Sequence, residues 1–180
     1  MVLKVIEGKN VNLRIQEKED LPLIAEWIND PEFMGEYDII QQMSKTELEK
    51  RVNSAPPELK SFLIEKKDGT KIGAIACVPK GSIFEINYGL ISGERNKGYG
   101  TEAVKIIVDY VFLSKDTVRV QAHTDVRNEA SQKVLEKVGF KKEGVVRKSF
   151  FIRSEWRDCC LYSILREEWK EPKILTRTKK

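Results

Sequence analysis

The sequence predicts an α+β fold built from seven strands and four helices. Alternating and helical patterns follow one another in the order strand, two helices, three strands, helix, strand, helix and two strands. Short turns join most neighbouring strands, and one strand-helix-strand crossover lies in the second half of the chain. The length of 180 residues fits one domain, since domains usually span about 100 to 200 residues.

The composition excludes several classes of protein. Hydrophobic residues make up 41% of the chain, which is enough for a buried core, so a disordered chain is not expected. The 32 Lys and Arg residues against 28 Asp and Glu leave a net charge of +4, and this mixed surface does not indicate a nucleic-acid partner. Neither a membrane-spanning apolar run nor a leader-like N-terminus is visible, so we expect a cytoplasmic protein without a membrane partner.

The cysteine and histidine content argues against a disulfide framework and a metal site. Cys77 and the adjacent Cys159 and Cys160 match neither a disulfide scaffold nor a zinc site, and Cys77 is expected to pack inside a strand. The single histidine, His123, excludes a multi-histidine metal centre. His123 lies two residues before Asp125, and we interpret it as an ordinary strand-end residue rather than half of a catalytic pair.

The N-terminal part of the chain is predicted to contain one strand and two helices. Residues 11–15 alternate as in a strand, and a helix then starts at Asp20-Leu21-Pro22 and ends near Asn29-Asp30-Pro31. Residues 30–38 interleave acidic and aromatic side chains in a loop. A second helix is predicted over residues 44–52.

A three-stranded meander follows these helices. Residues 61–66 and 71–78 are predicted strands joined through Asp68-Gly69, a strong hairpin signal, and residues 83–91 form the third strand. The meander therefore leads its last strand directly into the next helix.

The second half of the chain alternates helices and strands. Ala130, Val134 and Val138 are expected on one face of its second helix, and Gly139 lies where a helix C-cap belongs. The predicted elements are a helix over 101–113, a strand over 118–124, a helix over 128–138, and strands at about 141–151 and 156–165.

One boundary is predicted near the C-terminus. Residues 1–168 form a single domain, and residues 169–180 form a basic tail. The tail is open to two interpretations, a solvated end or a contact for RNA or another anionic surface. We expect the solvated end.

A glycine-containing turn joins the third meander strand to the following helix. Its sequence is Arg95-Asn96-Lys97-Gly98-Tyr99-Gly100-Thr101. Main-chain N-H groups at a helix start form an anion site, glycines let a ligand approach closely, and this combination suits a pyrophosphate. Arg95 and Lys97 add positive charge. A glycine-rich turn without a ligand is the alternative interpretation.

Three sequence blocks resemble the GNAT superfamily of acetyl-CoA-dependent N-acetyltransferases. Arg95, Gly98 and Gly100 match its phosphate-loop pattern [QR]-x-x-G-x-[GA]. The second block is similar to the family's next helix and runs from Asn128-Glu129-Ala130-Ser131 through Lys137-Val138-Gly139-Phe140. The third block is similar to the branch of ribosomal-protein N-terminal acetyltransferases (RimJ/RimL-like) and small-amine acetyltransferases. It runs from Leu13-Arg14 through Asp20 and Trp27 to Asn29-Asp30-Pro31.

This resemblance implies a fold, a cosubstrate and two catalytic residues. The fold is a mixed, mostly antiparallel twisted sheet, and the cosubstrate is acetyl-CoA, without a metal. Amines are protonated at pH 7, since lysine-like amines have a pKa of about 10.4, so the reaction needs a base. The resemblance makes Glu85 that base, whereas an exposed strand glutamate paired with a lysine is the alternative. Ser131 would donate a proton to the leaving thiolate, unless it is only a capping serine.

Two positions depart from patterns within the family. Many members carry a tyrosine seven residues after the asparagine, where this chain has Leu135, so the resemblance places the proton donor at Ser131. Some Rim-type enzymes carry a catalytic glutamate in the late strand around Phe150, and this chain has none there. That difference weakens the assignment to peptide N-termini and leaves Glu85 as the candidate base.

The resemblance also assigns binding residues. Main-chain groups of Leu90 and Ile91 would contact the acetyl carbonyl and the pantetheine arm, Asn128 would bond the pantetheine amides, and residues 95–101 would hold the phosphates. Aromatic and acidic side chains suit a cationic acceptor. The substrate candidates are Trp27, Phe33, Tyr37, Tyr88, Trp156 and Asp158, with a core position as the alternative for Trp27.

The functional hypothesis is therefore an N-acetyltransferase that works by direct attack in a ternary complex. The acceptor would be a protein N-terminus, including that of a ribosomal protein, or a small-molecule amine. A catalytically silent coenzyme A sensor or ribosome-associated module is the alternative from another class. The chain would act as a monomer or a homodimer.

Overall fold

An eight-stranded sheet runs through the middle of the protein, and helices pack on both of its faces. The computed structural model describes residues 5–170. The strands are β1 (Val5–Glu7), β2 (Val11–Ile15), β3 (Lys60–Lys66), β4 (Lys71–Lys80), β5 (Ile83–Leu90), β6 (Arg119–Asp125), β7 (Lys141–Ile152) and β8 (Glu155–Leu165). Their order is β1-β2-β3-β4-β5-β6-β8-β7, antiparallel except for the parallel pair β5 and β6. The predicted α+β class with a mostly antiparallel sheet is confirmed.

The helices begin and end at residues whose chemistry suits those positions. Ser44 forms a capping box with Glu47 at the start of α3, and Gly139 ends α5 with a φ of +110°, a left-handed conformation that favours glycine. The helices are α1 (Leu21–Asn29), α2 (Pro31–Met34), α3 (Lys45–Asn53), α4 (Tyr99–Ser114) and α5 (Glu129–Val138). Within residues 5–170, none of them combines the length and apolar character needed to cross a membrane.

Two apolar layers cover the sheet. The larger one packs α4 and α5 on one face, where Ile86, Ile107 and Leu135 are buried. The other packs α1 and α3 on the opposite face, where Trp27 meets Leu63. Because successive strand residues point to opposite faces, each strand near the centre contributes side chains to both layers.

Two short elements differ from the sequence-based expectations. β1 was not predicted, because three residues give too short an alternating pattern. The segment expected to be a loop over residues 30–38 contains the single helical turn α2. That turn forms because the Asp30 side chain accepts the Glu32 N-H and Pro31 occupies the first helical position.

Two side chains also lie in surroundings that differ from the sequence-based expectations. Ala130, predicted on one face of α5 with Val134 and Val138, is exposed whereas those two are half-buried, and Leu135 is the fully buried residue of that helix. Trp169, assigned to the tail, packs on Phe112 with ring centroids 5.4 Å apart and donates its Nε1-H to Asp109 at 2.8 Å. Trp169 therefore packs with the domain, and the tail from residue 171 onward lies outside the described residues.

The junction between β5 and β6 positions the site. The two parallel strands pair at Phe84 with Val120 and at Glu85 with Gln121. Over the rest of these two described strands β5 and β6 share no further backbone pairs, so they separate towards their C-terminal ends. A gap opens in the sheet at this point.

Candidate functional site

A cleft of about 700 Å³ occupies the gap between β5 and β6. Its walls come from the end of β5, the end of β6, the turn before α4, the first turns of α5 and the segment 33–38. This volume lies within the range of about 300 to 1,000 Å³ that is typical of ligand sites. Predicted site residues from four of these parts thus meet around one space, whereas the end of β6 contributes His123, Thr124 and Asp125, which were not predicted as site residues.

The turn before α4 presents main-chain donors to this cleft. Asn96 and Gly98 have φ values of +61° and +85°, and α4 begins at Tyr99. The first intrahelical bond runs from the Glu102 N-H to the Gly98 carbonyl at 3.1 Å, so the earlier N-H groups of the helix have no intrahelical acceptor. Asn96, Gly98, Gly100 and Thr101 line the cleft, and Lys97 and Tyr99 do not. This arrangement fits the pyrophosphate of a nucleotide carrier.

Arg95 holds this turn to the segment after α1. Its Nε donates to the Leu90 carbonyl at 3.0 Å, and its Nη2 donates to the carbonyls of Glu32 and Phe33 at 3.0 and 2.8 Å. Sequence reasoning treated Arg95 as a source of positive charge for the ligand. The structure shows that its guanidinium is bonded to three main-chain carbonyls, which fixes the wall of the cleft.

Lys97 lies in a small charged cluster beside the turn. Its Nζ lies 3.0 Å from Glu94 Oε2, and Lys66 Nζ lies 3.1 Å from Glu94 Oε1. These hydrogen bonds from Lys97 and Lys66 lower the pKa of Glu94. The positive charge of Lys97 is therefore partly balanced within the protein.

Tyr88 and Ser131 form a hydroxyl pair inside the cleft. The Tyr88 hydroxyl lies 2.8 Å from Ser131 Oγ, and both residues line the cleft. Burial raises the pKa of Tyr88 to about 12, although the hydrogen bond with Ser131 lowers it in part. Tyr88 was expected on the substrate side, so sequence reasoning missed its contact with the candidate proton donor.

Glu85 and His123 form a second pair, on the other side of the sheet from α5. Glu85 Oε2 lies 3.0 Å from His123 Nδ1 and accepts a hydrogen bond from Gln121 Nε2 at 3.1 Å. The partners of Glu85 are thus not lysines, and the partner of His123 is not Asp125. His123 lines the cleft, whereas Glu85 is not among the lining residues. The parallel register that pairs Glu85 with Gln121 also brings His123 within reach of Glu85.

The other predicted cosubstrate contacts are already engaged in protein hydrogen bonds. The Ile91 N-H donates to the Ile72 carbonyl at 2.9 Å, and the Ile91 carbonyl accepts the Glu94 N-H at 3.0 Å. Asn128 caps α5, since its Oδ1 accepts the Ser131 N-H at 3.1 Å. Leu90 and Asn128 line the cleft, and Ile91 packs in the core beside it.

The predicted substrate residues divide into those inside and those outside the cleft. Phe33, Tyr37, Tyr88 and Asp158 line it. Trp27 does not, because it is buried behind Phe33 with ring centroids 5.1 Å apart and nearly parallel planes. The core alternative for Trp27 is therefore the one that the structure supports.

Trp156 also lies outside this cleft, on the hairpin formed by β7 and β8. It is 61% exposed and packs against Phe151 with ring centroids 5.6 Å apart. The neighbouring Asp158 has a structural contact, since its Oδ1 accepts the Lys148 N-H at 2.8 Å where the strand pairing shifts.

Arginines of the β7–β8 hairpin hold the segment 33–38 from the other side. Arg153 Nη2 donates to the Gly35 carbonyl at 2.9 Å, and Arg157 Nη1 donates to the Glu36 carbonyl at 3.1 Å. Arg95 bonds the opposite end of this segment, so hydrogen bonds from both ends hold it across the mouth of the cleft. Its exposed Glu36 and Asp38 line that mouth and make it acidic.

Comparison with protein families identifies the chain. Residues 10–141 match the family model described as an acetyltransferase (GNAT) domain. The chain belongs to the GNAT acetyltransferase family. The expected membership of the GNAT superfamily is thus confirmed. Among residues 5–170, no group of three or more His, Cys, Asp or Glu side chains is arranged to hold a metal ion.

Both curated relatives and solved structures are similar to this chain. The probable N-acetyltransferase YjcK of Bacillus subtilis is 42% identical over 80 residues, which cover 44% of this chain and 44% of YjcK. The match thus spans less than half of that relative. The structure of ribosomal-protein-S5-alanine acetyltransferase from Vibrio fischeri superposes with a TM-score of 0.78 at 22% identity over 93% of this chain and 100% of that one.

A further structural neighbour was solved with coenzyme A bound. Spermidine N-acetyltransferase from Vibrio cholerae, in complex with CoA and spermine, gives a TM-score of 0.81 at 23% identity over 88% of this chain and 97% of that one. At these identities the two structures show the shared GNAT fold alone. The narrower RimJ/RimL-like branch is not singled out, because enzymes named for ribosomal proteins and for spermidine are both similar to this chain.

Proposed function

We propose that this GNAT protein transfers the acetyl group of acetyl-CoA to a primary amine inside the β5–β6 cleft. The observation that supports this most directly is the placement of three kinds of group around one space. Helix-start N-H donors lie at one end, the Tyr88–Ser131 hydroxyl pair lies on the wall that belongs to α5, and the Glu85–His123 pair lies on the opposite face of the sheet.

The phosphate end of the cleft would be the turn before α4. The N-H groups from Gly98 to Thr101 and the positive end of the α4 dipole would hold the pyrophosphate. Lys133 and Lys137, one helical turn apart on α5, line the same cleft and add positive charge. Arg95 would act indirectly, by fixing the wall beside this turn.

Bound acetyl-CoA would supply the acetyl group as a thioester. The protein would position the amine beside it and donate a proton towards the leaving sulfur from Ser131 Oγ, which lies near the positive N-terminal end of α5. The Tyr88 hydroxyl, 2.8 Å away, would then restore the proton of Ser131. The Glu85–His123 pair would remove the proton from the incoming ammonium group.

A cationic amine fits the acceptor end of the cleft. Glu36 and Asp38 at its mouth would attract an ammonium group, and Phe33 and Tyr37 offer aromatic faces to it. A protein N-terminus and a small amine such as a polyamine share this chemistry. The fold neighbours named for ribosomal protein S5 and for spermidine illustrate both acceptor classes within the same fold.

The test combines binding with turnover. Calorimetry should detect acetyl-CoA binding, and a thiol-release assay over polyamines, aminoglycosides and peptides with free N-termini should find at least one acceptor, with the acetylated product identified by mass spectrometry. Ser131→Ala should keep the binding and lower kcat by about 10²-fold. Binding without acetylation of any amine would favour the catalytically silent coenzyme A sensor instead. Absence of binding would reject both functions.

A further inference from the structure

We propose that His123 is the catalytic base of the acetyl transfer and that Glu85 is the positioning residue that orients its ring; this inference rests on the proposed function. His123 lines the cleft, and Glu85 lies beyond the lining with its carboxylate 3.0 Å from His123 Nδ1. The two side chains are 23% and 17% exposed, so the imidazole is the member of the pair that an amine in the cleft would meet.

The hydrogen bonds of Glu85 fix the tautomer of the imidazole. A carboxylate oxygen has no hydrogen to donate, and the Glu85 oxygen that faces His123 Nδ1 also accepts from Gln121 Nε2. Nδ1 therefore carries the proton, and the lone pair of the neutral ring lies on Nε2. In the part of the chain that the structure describes, Nε2 has no protein hydrogen-bond partner.

The surroundings of the ring keep it in place. Phe150 of β7 contacts the imidazole edge to face, with ring centroids 6.3 Å apart. Side-chain alternation places Glu85, Gln121 and His123 on one face of the sheet, and Tyr88 with Ser131 on the other. The base, His123, and the proton donor, Ser131, would thus reach a substrate in the gap from opposite sides of the sheet.

The other carboxylates that line this end have different partners. Asp125 is bonded by Arg127 and by Arg157, at 3.1 and 3.4 Å. Although burial alone would raise the pKa of Asp125, these bonds hold that pKa below its ordinary value. Asp158 accepts the Lys148 N-H, and Asp38 accepts the N-H of Ile39 in the exposed segment at the mouth. Asp38 and the neighbouring exposed Glu36 are therefore the remaining rival bases.

The proposed step balances in atoms and charge. His123 Nε2 takes one proton from the ammonium group, and the free amine forms a C-N bond to the thioester carbonyl carbon. The C-S bond breaks, the sulfur gains a proton from Ser131, and the nitrogen loses its second proton as the amide forms. The second nitrogen proton passes to solvent. Ser131 recovers a proton from the Tyr88 hydroxyl, Tyr88 takes one proton back from solvent, and the imidazolium releases its proton to solvent.

The first experiment replaces the ring. His123→Gln keeps a polar side chain that can bond Glu85, and it should retain acetyl-CoA affinity while lowering kcat at pH 7 by about 10²-fold. The loss should shrink at least about tenfold for an analogue of the acceptor whose amine is made weakly basic by neighbouring fluorine atoms, because that amine is already neutral. An equal loss for both amines would overturn the assignment, as would an undiminished rate.

A second variant tests whether a free imidazole can replace the missing side chain. His123→Ala leaves space beside Glu85, and added imidazole should restore activity by about tenfold or more. Imidazole should have no effect on Ser131→Ala, which keeps the native histidine. Failure of imidazole to restore any activity while the variant still binds acetyl-CoA would contradict the proposal.

A double-mutant comparison distinguishes a positioning role of Glu85 from a role as the base itself. Glu85→Gln should lower kcat less than His123→Gln and leave both KM values unchanged, and the double variant should be no slower than His123→Gln alone. If Glu85 were itself the base, its loss would be the larger one and the effects would multiply. Glu49→Gln on the exposed face of α3 is the matched control, and Asp38→Asn and Glu36→Gln should each raise the amine KM while keeping kcat.

These outcomes separate the inference from the proposed function. If wild-type protein acetylates an amine but His123→Gln is fully active, the base assignment fails and the acetyltransferase stands. If wild-type protein acetylates nothing, the proposed function fails before the histidine is tested.

Discussion

Tyr88 on β5 and Ser131 on α5 bring their hydroxyl groups within 2.8 Å of each other across the gap in the sheet. The strand and the helix that they join are separated by the whole α4–β6 crossover in sequence. Leu135, at the position where many family members carry a tyrosine, is fully buried. A tyrosine hydroxyl is therefore present in the cleft, supplied by a strand instead of by α5.

Replacing Tyr88 by Phe tests this hydroxyl pair. The ring still fills its place, but Ser131 loses its partner, so kcat should fall by about tenfold with acetyl-CoA affinity unchanged. If Tyr88 acts through Ser131, the double variant with Ser131→Ala should be no slower than Ser131→Ala alone. Steady-state thiol release measures both, and Tyr110→Phe, outside the cleft on α4, is the matched control. A Tyr88→Phe rate equal to that of the wild type would remove Tyr88 from the mechanism.

Arg95 and Lys97 should have different roles although both belong to the same turn. Arg95→Ala removes three bonds to main-chain carbonyls, so it should lower the free energy of unfolding by about 2 kcal/mol and also weaken acetyl-CoA binding. Lys97→Ala, whose side chain is exposed and paired with Glu94, should leave the melting temperature nearly unchanged. Thermal unfolding and calorimetry on the two variants make the comparison. Equal stability of both would show that the Arg95 bonds do not hold the turn.

The two glycines of the turn should also respond differently to alanine. Gly98 has a φ of +85°, so Gly98→Ala should destabilise the protein by about 1 kcal/mol through backbone strain. Gly100 lies within α4, and an added Cβ would meet only Leu90 Cδ1 at 3.6 Å, so Gly100→Ala should not lower stability. Because Gly100 lines the cleft, its Cβ should still weaken acetyl-CoA binding. Unchanged affinity in Gly100→Ala would place the phosphates elsewhere.

Arg14 and Asp20 form a buried, two-pronged ion pair beside β2. Arg14 Nη2 and Nη1 lie 2.8 and 3.0 Å from the two Asp20 carboxylate oxygens, and the residues are 6% and 3% exposed. Asp20→Asn should destabilise the protein by about 3 kcal/mol, since the buried Arg14 charge then keeps only Glu65, 2.7 Å from its Nε, as a charged partner. Glu49→Gln on the surface should change stability by less than about 0.5 kcal/mol.

The same pair should make stability depend on acidity. Burial alone would raise the pKa of Asp20, but bonds from Arg14 and Lys71 hold that pKa well below its ordinary value. The stabilisation should therefore be complete above pH 4 or so, near the unfolded-state pKa of about 3.9, and should diminish as pH falls further. Denaturant unfolding at several pH values should show a steeper acid loss in the wild type than in Asp20→Asn. Parallel curves would contradict this origin of the acid sensitivity.

Most of the fold could be predicted because its signals are local. The alternation of 11–15, the Asp68-Gly69 hairpin and the Gly139 cap each reflect backbone preferences of a few residues, and the structure has an element boundary at each. The three-residue β1 and the single turn α2 are too short for a periodic pattern to detect.

The site could be predicted in part for the same reason. The turn around Gly98 is a contiguous motif, so its place at a helix start was readable from the sequence. The contact between Glu85 and His123 depends on the register of two parallel strands joined through a helix, which local preferences do not set. One signal was available, since the chain's only histidine lies on the strand that follows the crossover.

The narrow seam between β5 and β6 has a mechanical consequence. Two residue pairs connect a half containing β1 to β5 with a half containing β6, β8 and β7, so slow opening of the sheet should concentrate there. A molecule seated in the gap would bridge both halves and slow amide hydrogen exchange on either side. Ligand binding in the cleft and opening of the sheet between β5 and β6 are thus coupled, since binding favours the closed sheet.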